Sequence, residues 1–129
     1  MVMEILGIKI NGTDARKDKE APATDVNVNI TLDGLEVKKG EIRISFTYAA
    51  NYRPNVGFLR LYGMVFGRES NDKANKLAKM WEKEKKLPPE IAEPILNLIN
   101  ASAGVNGVLV ARSVNLIPPL VPPKIVLKS

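Results

Sequence analysis

Residues Glu41 to Arg68 read EIRISFTYAANYRPNVGFLRLYGMVFGR, and the rest of the chain is arranged around them. Ile42, Ile44, Phe46 and Tyr48 alternate with Arg43, Ser45 and Thr47. That is the period of a strand with one buried face and one wetter face. A break follows at Asn51-Tyr52-Arg53-Pro54, and then a second run begins. Phe58, Tyr62, Met64 and Phe66 share one parity with Arg60, while Leu59, Leu61 and Val65 share the other with Gly63 and Gly67. Both faces of this second strand are therefore largely apolar. The connection is short enough for an antiparallel hairpin. The hairpin holds all three Phe and all three Tyr, which predicts that it forms the middle of a sheet.

Upstream, Met3 to Ile10 reads as a first strand, stopped at Asn11-Gly12-Thr13-Asp14. Asp14 to Asp25 reads as a solvated loop, because Asp14, Asp18 and Glu20 nearly cancel Arg16, Lys17 and Lys19. Val26, Val28, Ile30 and Leu32 then alternate with Asn27, Asn29, Thr31 and Asp33, a half-buried strand. Asp33-Gly34 signals a turn, with Leu35 to Gly40 extending the connection. Consecutive strands of this kind favour an antiparallel meander or Greek key.

Downstream, Ser70, Asn71 or Asp72 can cap a helix. Its apolar stripe is Ala74, Leu77, Ala78 and Trp81, and its opposite side carries Lys76, Lys79, Lys83 and Lys86. Leu87-Pro88-Pro89 ends that helix and opens another, with Ile91, Ile95, Leu98, Ile99 and Ser102 along one face. Pro94 is placed within about its first turn. Gly104 and Gly107 leave two readings open: one long helix, or a break and a restart. From Val114 onward, VNLIPPLVPPKIVLKS excludes a regular helix and a central strand, yet it is too apolar for a free tail. It is expected to lie extended along its own domain or a neighbouring subunit.

These elements predict a single α+β domain over residues 1–129: a four-stranded antiparallel sheet, two helices on one face, and a proline-rich extended C-terminal tail. The absence of Cys removes disulfides, thiolate nucleophiles and cysteine metal sites, and the absence of His removes the commonest metal ligand and neutral-pH base. No phosphate-binding glycine motif occurs, and the carboxylates form no spaced cluster. The expectation is a non-enzyme without cofactor or metal. No run of roughly eighteen apolar residues occurs, which predicts no membrane span. MVMEILGIKI does not read as a signal peptide, so a cytoplasmic setting is expected. Gln is absent while Lys and Glu are plentiful, a composition that suits a thermophile.

In this order the elements resemble the SecB-like superfamily of protein-export chaperones. Val26 to Glu69 looks like that family's strands leading into its first helix, and Pro94 like the proline near the start of its long helix. Arg112 is similar to the arginine ending that helix, and Pro118 to Pro122, PPLVP, to the proline, leucine and proline that follow. The resemblance runs from about Glu4 to Val126. Ser113 stands where the family has a glycine, and the stretch from Pro94 to Arg112 is several residues longer than in the family. The family's acidic surface for the export motor has no counterpart in a chain of net charge +5.

The resemblance implies non-enzymatic binding of unfolded or extended polypeptides in apolar grooves between the sheet and the helix crossover, and a homo-oligomer, dimer or tetramer. The residues themselves point the same way, since a strand apolar on both faces needs a partner on one of them. The candidate contacts are Tyr48, Tyr52, Phe58, Tyr62, Met64, Phe66 and Trp81, with Leu120 and Val121 from the tail. One alternative is a nucleic-acid-binding module using Lys76, Lys79, Lys83 and Lys86, with Arg43, Arg53 and Arg60 near the sheet. Another is a structural oligomer of the same fold.

Overall fold

A computed structural model describes residues 3–117. The expected tail beyond Ile117, with Leu120, Val121 and the PPLVP segment, lies outside them. The elements are β1 (Glu4–Lys17), β2 (Asp25–Lys38), β3 (Glu41–Arg53), β4 (Gly57–Arg68), α1 (Asn71–Glu84) and α2 (Pro89–Ser113). The four strands form one sheet in the order β1-β4-β3-β2, every neighbouring pair antiparallel. The β3–β4 hairpin is therefore central, as its aromatic content implies.

Ile42, Ile44, Phe46, Tyr48, Ala50 and Tyr52 from β3 and Leu59, Leu61 and Val65 from β4 are buried. Both helices cover this face. Ala74, Leu77 and Trp81 of α1 join Ile91, Ile95 and Ile99 of α2 around Ile42, Ile44, Phe46 and Val65. Further along, Ala103 and Ala111 of α2 meet Tyr48, Tyr52, Leu59 and Leu61. Small helix residues thus sit opposite the largest sheet residues, which lets the layers interdigitate at interior density.

The strands are longer than their apolar patterns. β1 continues past Asn11 to Lys17 where a stop and a loop were expected. Bulges at Leu6 and Asn11 absorb the irregular sequence, and the ladder to β4 then runs on from Gly12 opposite Tyr62 to Lys17 opposite Gly57. Backbone pairing holds this polar half. Thr13 Oγ1 also donates to the Arg60 carbonyl at 3.1 Å, and Asp18 N–H donates to the Val56 carbonyl at 2.7 Å. β2 likewise extends through Leu35 and Val37 past a bulge at Asp33, so the turn to β3 shrinks to Lys39-Gly40. Both turn residues have positive φ, 52° and 79°, the two-residue geometry whose twist matches an antiparallel hairpin. A Cβ on Gly40 would lie 2.7 Å from the Glu69 carbonyl oxygen.

Ser70 caps α1 by accepting from Lys73 N–H, and Lys85 closes it in the left-handed region, donating to the Trp81 carbonyl at 2.8 Å. α2 is unbroken through Gly104 and Gly107, both buried, which decides between the two readings of the sequence. Packing of that small-residue face outweighs the roughly 1 kcal/mol that each glycine costs a helix. Pro94 sits at the start of the second turn of α2, and the helix passes through it unbroken, as expected. α2 is also long and apolar enough, by length and composition, to cross a membrane. Counting uninterrupted apolar runs missed this, because its polar residues are Asn and Ser with few charges. Its sheet-facing flank is buried in the core.

Candidate functional site

Among the described residues, no helix lies over the second face of β4. Phe58, Tyr62, Met64 and Phe66 all point to this open side of the sheet and are half-buried, while Leu59, Leu61 and Val65 point into the core. The alternation fixes this division, because successive side chains of a strand leave on opposite faces. The four form a ridge along a central strand. On one side β3 supplies a low border of Ser45, Thr47, Ala49 and Asn51. On the other side β1 places Gly7 opposite Phe66 and Gly12 opposite Tyr62, so two ridge positions have no side chain beside them.

Cations stand among the ridge residues. Lys9 is the register partner of Met64, Arg16 of Phe58 and Arg43 of Phe66. The Arg60 and Arg16 guanidiniums lie over the Phe58 ring at 4.6 and 5.3 Å from its centroid, a favourable placement against the ring quadrupole. Arg16 also pairs with Asp18 at 2.6 Å, Arg43 with Glu41 at 3.1 Å, and Arg53 with Asp25 at 2.7 Å. The paired Asp25 carboxylate, accepting from the guanidinium, raises the Arg53 pKa above its usual value.

The sequence-derived candidates therefore separate into two sets. Phe58, Tyr62, Met64 and Phe66 come together on the open face. Tyr48, Tyr52 and Trp81 are buried on the helix side, where they pack the core. Lys76, Lys79, Lys83 and Lys86 are exposed on or just after α1, a layer away from the ridge. Among the described residues, no one surface joins those lysines to the exposed aromatics. Sequence reasoning missed Lys9 and Arg16, the second of which it assigned to a solvated loop. Only the β1–β4 register across two bulges brings them to the ridge.

The buried phenols are spectroscopic reporters. Tyr52 donates its hydroxyl to the Ile117 carbonyl, and the Tyr48 hydroxyl finds no partner among the described residues. Burial raises both pKa values, Tyr52 from 10.0 to about 12 with help from Tyr48. The folded state thus holds the Tyr52 proton more tightly than the unfolded chain. Its contribution to stability is complete below pH 10 and is lost as pH rises towards 12. Unfolding midpoints across that window should fall, with phenolate absorbance of Tyr52 lagging that of denatured protein. Tyr52 ionising at pH 10 in folded protein would contradict the burial.

Two cavities of about 170 Å³ open elsewhere, one beside Tyr52, Val56 and Leu116, the other between Met3, Ile5, Ile91 and Pro94. Both are below the roughly 300–1,000 Å³ usual for small-molecule sites, and a third, of about 470 Å³ beside Arg112, Asn115, Leu116 and Ile117, is a shallow depression open to solvent. Among the described residues no group of three or more carboxylates could hold a metal.

No protein-family model matches the chain, and no curated protein does. Among solved structures, it resembles a SecB-like chaperone of Mycobacterium tuberculosis in complex with a ChAD peptide from the HigA1 antitoxin, with a TM-score of 0.56 and 10% identity over 98% of this chain and 90% of that one. The fold is SecB-like: a four-stranded antiparallel sheet with two helices in the same topology.

Proposed function

We propose that this protein binds unfolded or extended polypeptides without chemically altering them, using the open face of its sheet. The observation that carries the reading is the ridge of Phe58, Tyr62, Met64 and Phe66, four large apolar side chains on a face that no helix covers among the described residues. Burial of apolar surface is non-directional, so such a ridge accepts many sequences. The fold shared with a chaperone solved with an antitoxin peptide supports the reading. A cytoplasmic setting fits a chain without cysteine. Coupling to protein export receives no support from a chain of net charge +5.

The test is suppression of aggregation of a denatured client, with affinity measured against a permanently unfolded chain and an oligonucleotide in one buffer. Suppression at near-stoichiometric amounts is expected. No binding to unfolded chains would leave an oligomeric domain of unassigned role.

Self-association belongs to the same proposal. Val105 and Leu109 on the outer flank of α2 are 72% and 70% exposed, too apolar for a helix face meant for water. A homodimer or tetramer that covers this flank leaves the ridge open on the other side of each subunit. Light scattering at micromolar concentration is expected to return a multiple of the chain mass, and Val105→Glu with Leu109→Glu to reduce it. A monomeric wild type would refute the assembly.

A further inference from the structure

The charges around the ridge are not all paired within the chain. Lys9, beside Met64, and Arg60, between Phe58 and Tyr62, have no ion-pair partner among the described residues. Asp14 stands across the ladder from Arg60, yet no ion pair joins them. Of the other cations of this face, Arg16, Arg43 and Arg53 are each held by a carboxylate of the chain itself, while Lys38 and Arg68 stand at its far end, beyond Phe66, with Glu41 as register partner. The Arg60 guanidinium rests on the Phe58 ring. A stacked guanidinium keeps its N–H edges free in a fixed plane, so a carboxylate meets them with little further ordering.

We propose that the ridge selects extended segments in which apolar or aromatic residues are flanked by Asp or Glu, the two acidic positions falling on Arg60 and Lys9. This rests on the polypeptide-binding reading above and names the class of segment. Arg60 and Met64 are separated by about 13 Å at the rise of a strand. A segment lying along β4 therefore meets both cations when its acidic residues are about four positions apart. The apolar side chain between them then falls on Tyr62, and those beyond them on Phe58 and Phe66. A single-stranded nucleic acid is disfavoured, because the Phe58 ring is already engaged by two guanidiniums and offers less surface for a base to stack on.

The experiment uses the full chain and three labelled peptides with one apolar-aromatic centre, flanked by acidic, by amide or by basic residues. Fluorescence anisotropy is expected to rank them acidic, amide, basic, with about a tenfold span at low salt that closes at high salt, as a few exposed pairs allow. The double variant Lys9→Glu, Arg60→Glu should invert the order. Lys9→Gln, Arg60→Gln, a gentler change, should flatten it, and circular dichroism checks that each variant folds. Equal binding of all three peptides, or an order that neither folded variant alters, overturns the charge selection while leaving polypeptide binding intact. Failure of all three to bind overturns the polypeptide-binding reading itself. A single-stranded oligonucleotide that displaces the acidic peptide and binds more tightly assigns the face to nucleic acid instead, and overturns both.

Discussion

Replacing Phe58, Tyr62 and Phe66 together by serine is expected to weaken binding of an unfolded chain by more than a hundredfold, while the protein keeps its fold. Aromatic anchors at the centre of an interface are worth about 2 kcal/mol each or more, and their effects are not additive, so ~100-fold is a conservative figure. The fold survives because these side chains leave β4 on the side away from both core clusters. Backbone pairing to β1 and β3 continues through every one of these positions. Isothermal titration against a permanently unfolded client, with circular dichroism as the fold control, reads both quantities. Undiminished affinity in a folded triple variant would remove the ridge from the function.

Gly63→Ala is expected to produce the largest loss of stability of any single-methyl change in the sheet, about 3 kcal/mol, at the upper end for overpacking. A Cβ at this position would run into the carbonyl oxygen of Lys9 and lie 2.8 Å from Phe46 Cζ. Neither obstacle can move cheaply. The Lys9 carbonyl belongs to the backbone of a paired strand, and Phe46 is a buried ring surrounded by side chains from both helices. Gly7 makes the contrast, since nothing lies within 4 Å of a Cβ built there. Gly7→Ala should change the denaturation midpoint far less, because it adds a methyl group where there is space. A Gly63→Ala midpoint equal to that of the parent would mean that β1 and β4 do not approach as described.

What was legible in the sequence follows from what apolar patterns encode. Ile42 to Tyr48 alternate cleanly, so β3 and its buried face could be read directly. The double-faced apolarity of β4 also signalled a central strand with a second surface to account for. The pattern could not say which parity the helices would cover, and for that reason Tyr48 and Tyr52 stood beside Phe58 and Tyr62 as equal candidates. Burial now divides them. The second half of β1 was invisible because DARK carries no apolar alternation and is held by hydrogen bonds to β4. Such bonds are available to any sequence without proline, so they leave no compositional trace. The continuity of α2 was undecidable for a related reason. Gly104 and Gly107 lower local helix propensity, but they lie in a run of small residues that a helix needs where it crosses bulky tyrosines.

The bulges bear on a hazard common to open sheets. A sheet with two free margins is a template on which a captured chain, or another copy of the protein, can add strand after strand into a fibre. Both outermost strands of this sheet are interrupted: β1 at Leu6 and Asn11, β2 at Asp33, while the inner β3–β4 ladder has no such fault. At Asp33 the displaced carboxylate is fastened by Thr47 Oγ1 at 2.6 Å, which fixes the irregularity in place. A strand arriving at either margin falls out of step with the amides and carbonyls before it has matched the full length. Polymerisation is thereby discouraged at the rim, while on the aromatic face contact is through side chains and no backbone pairing can propagate.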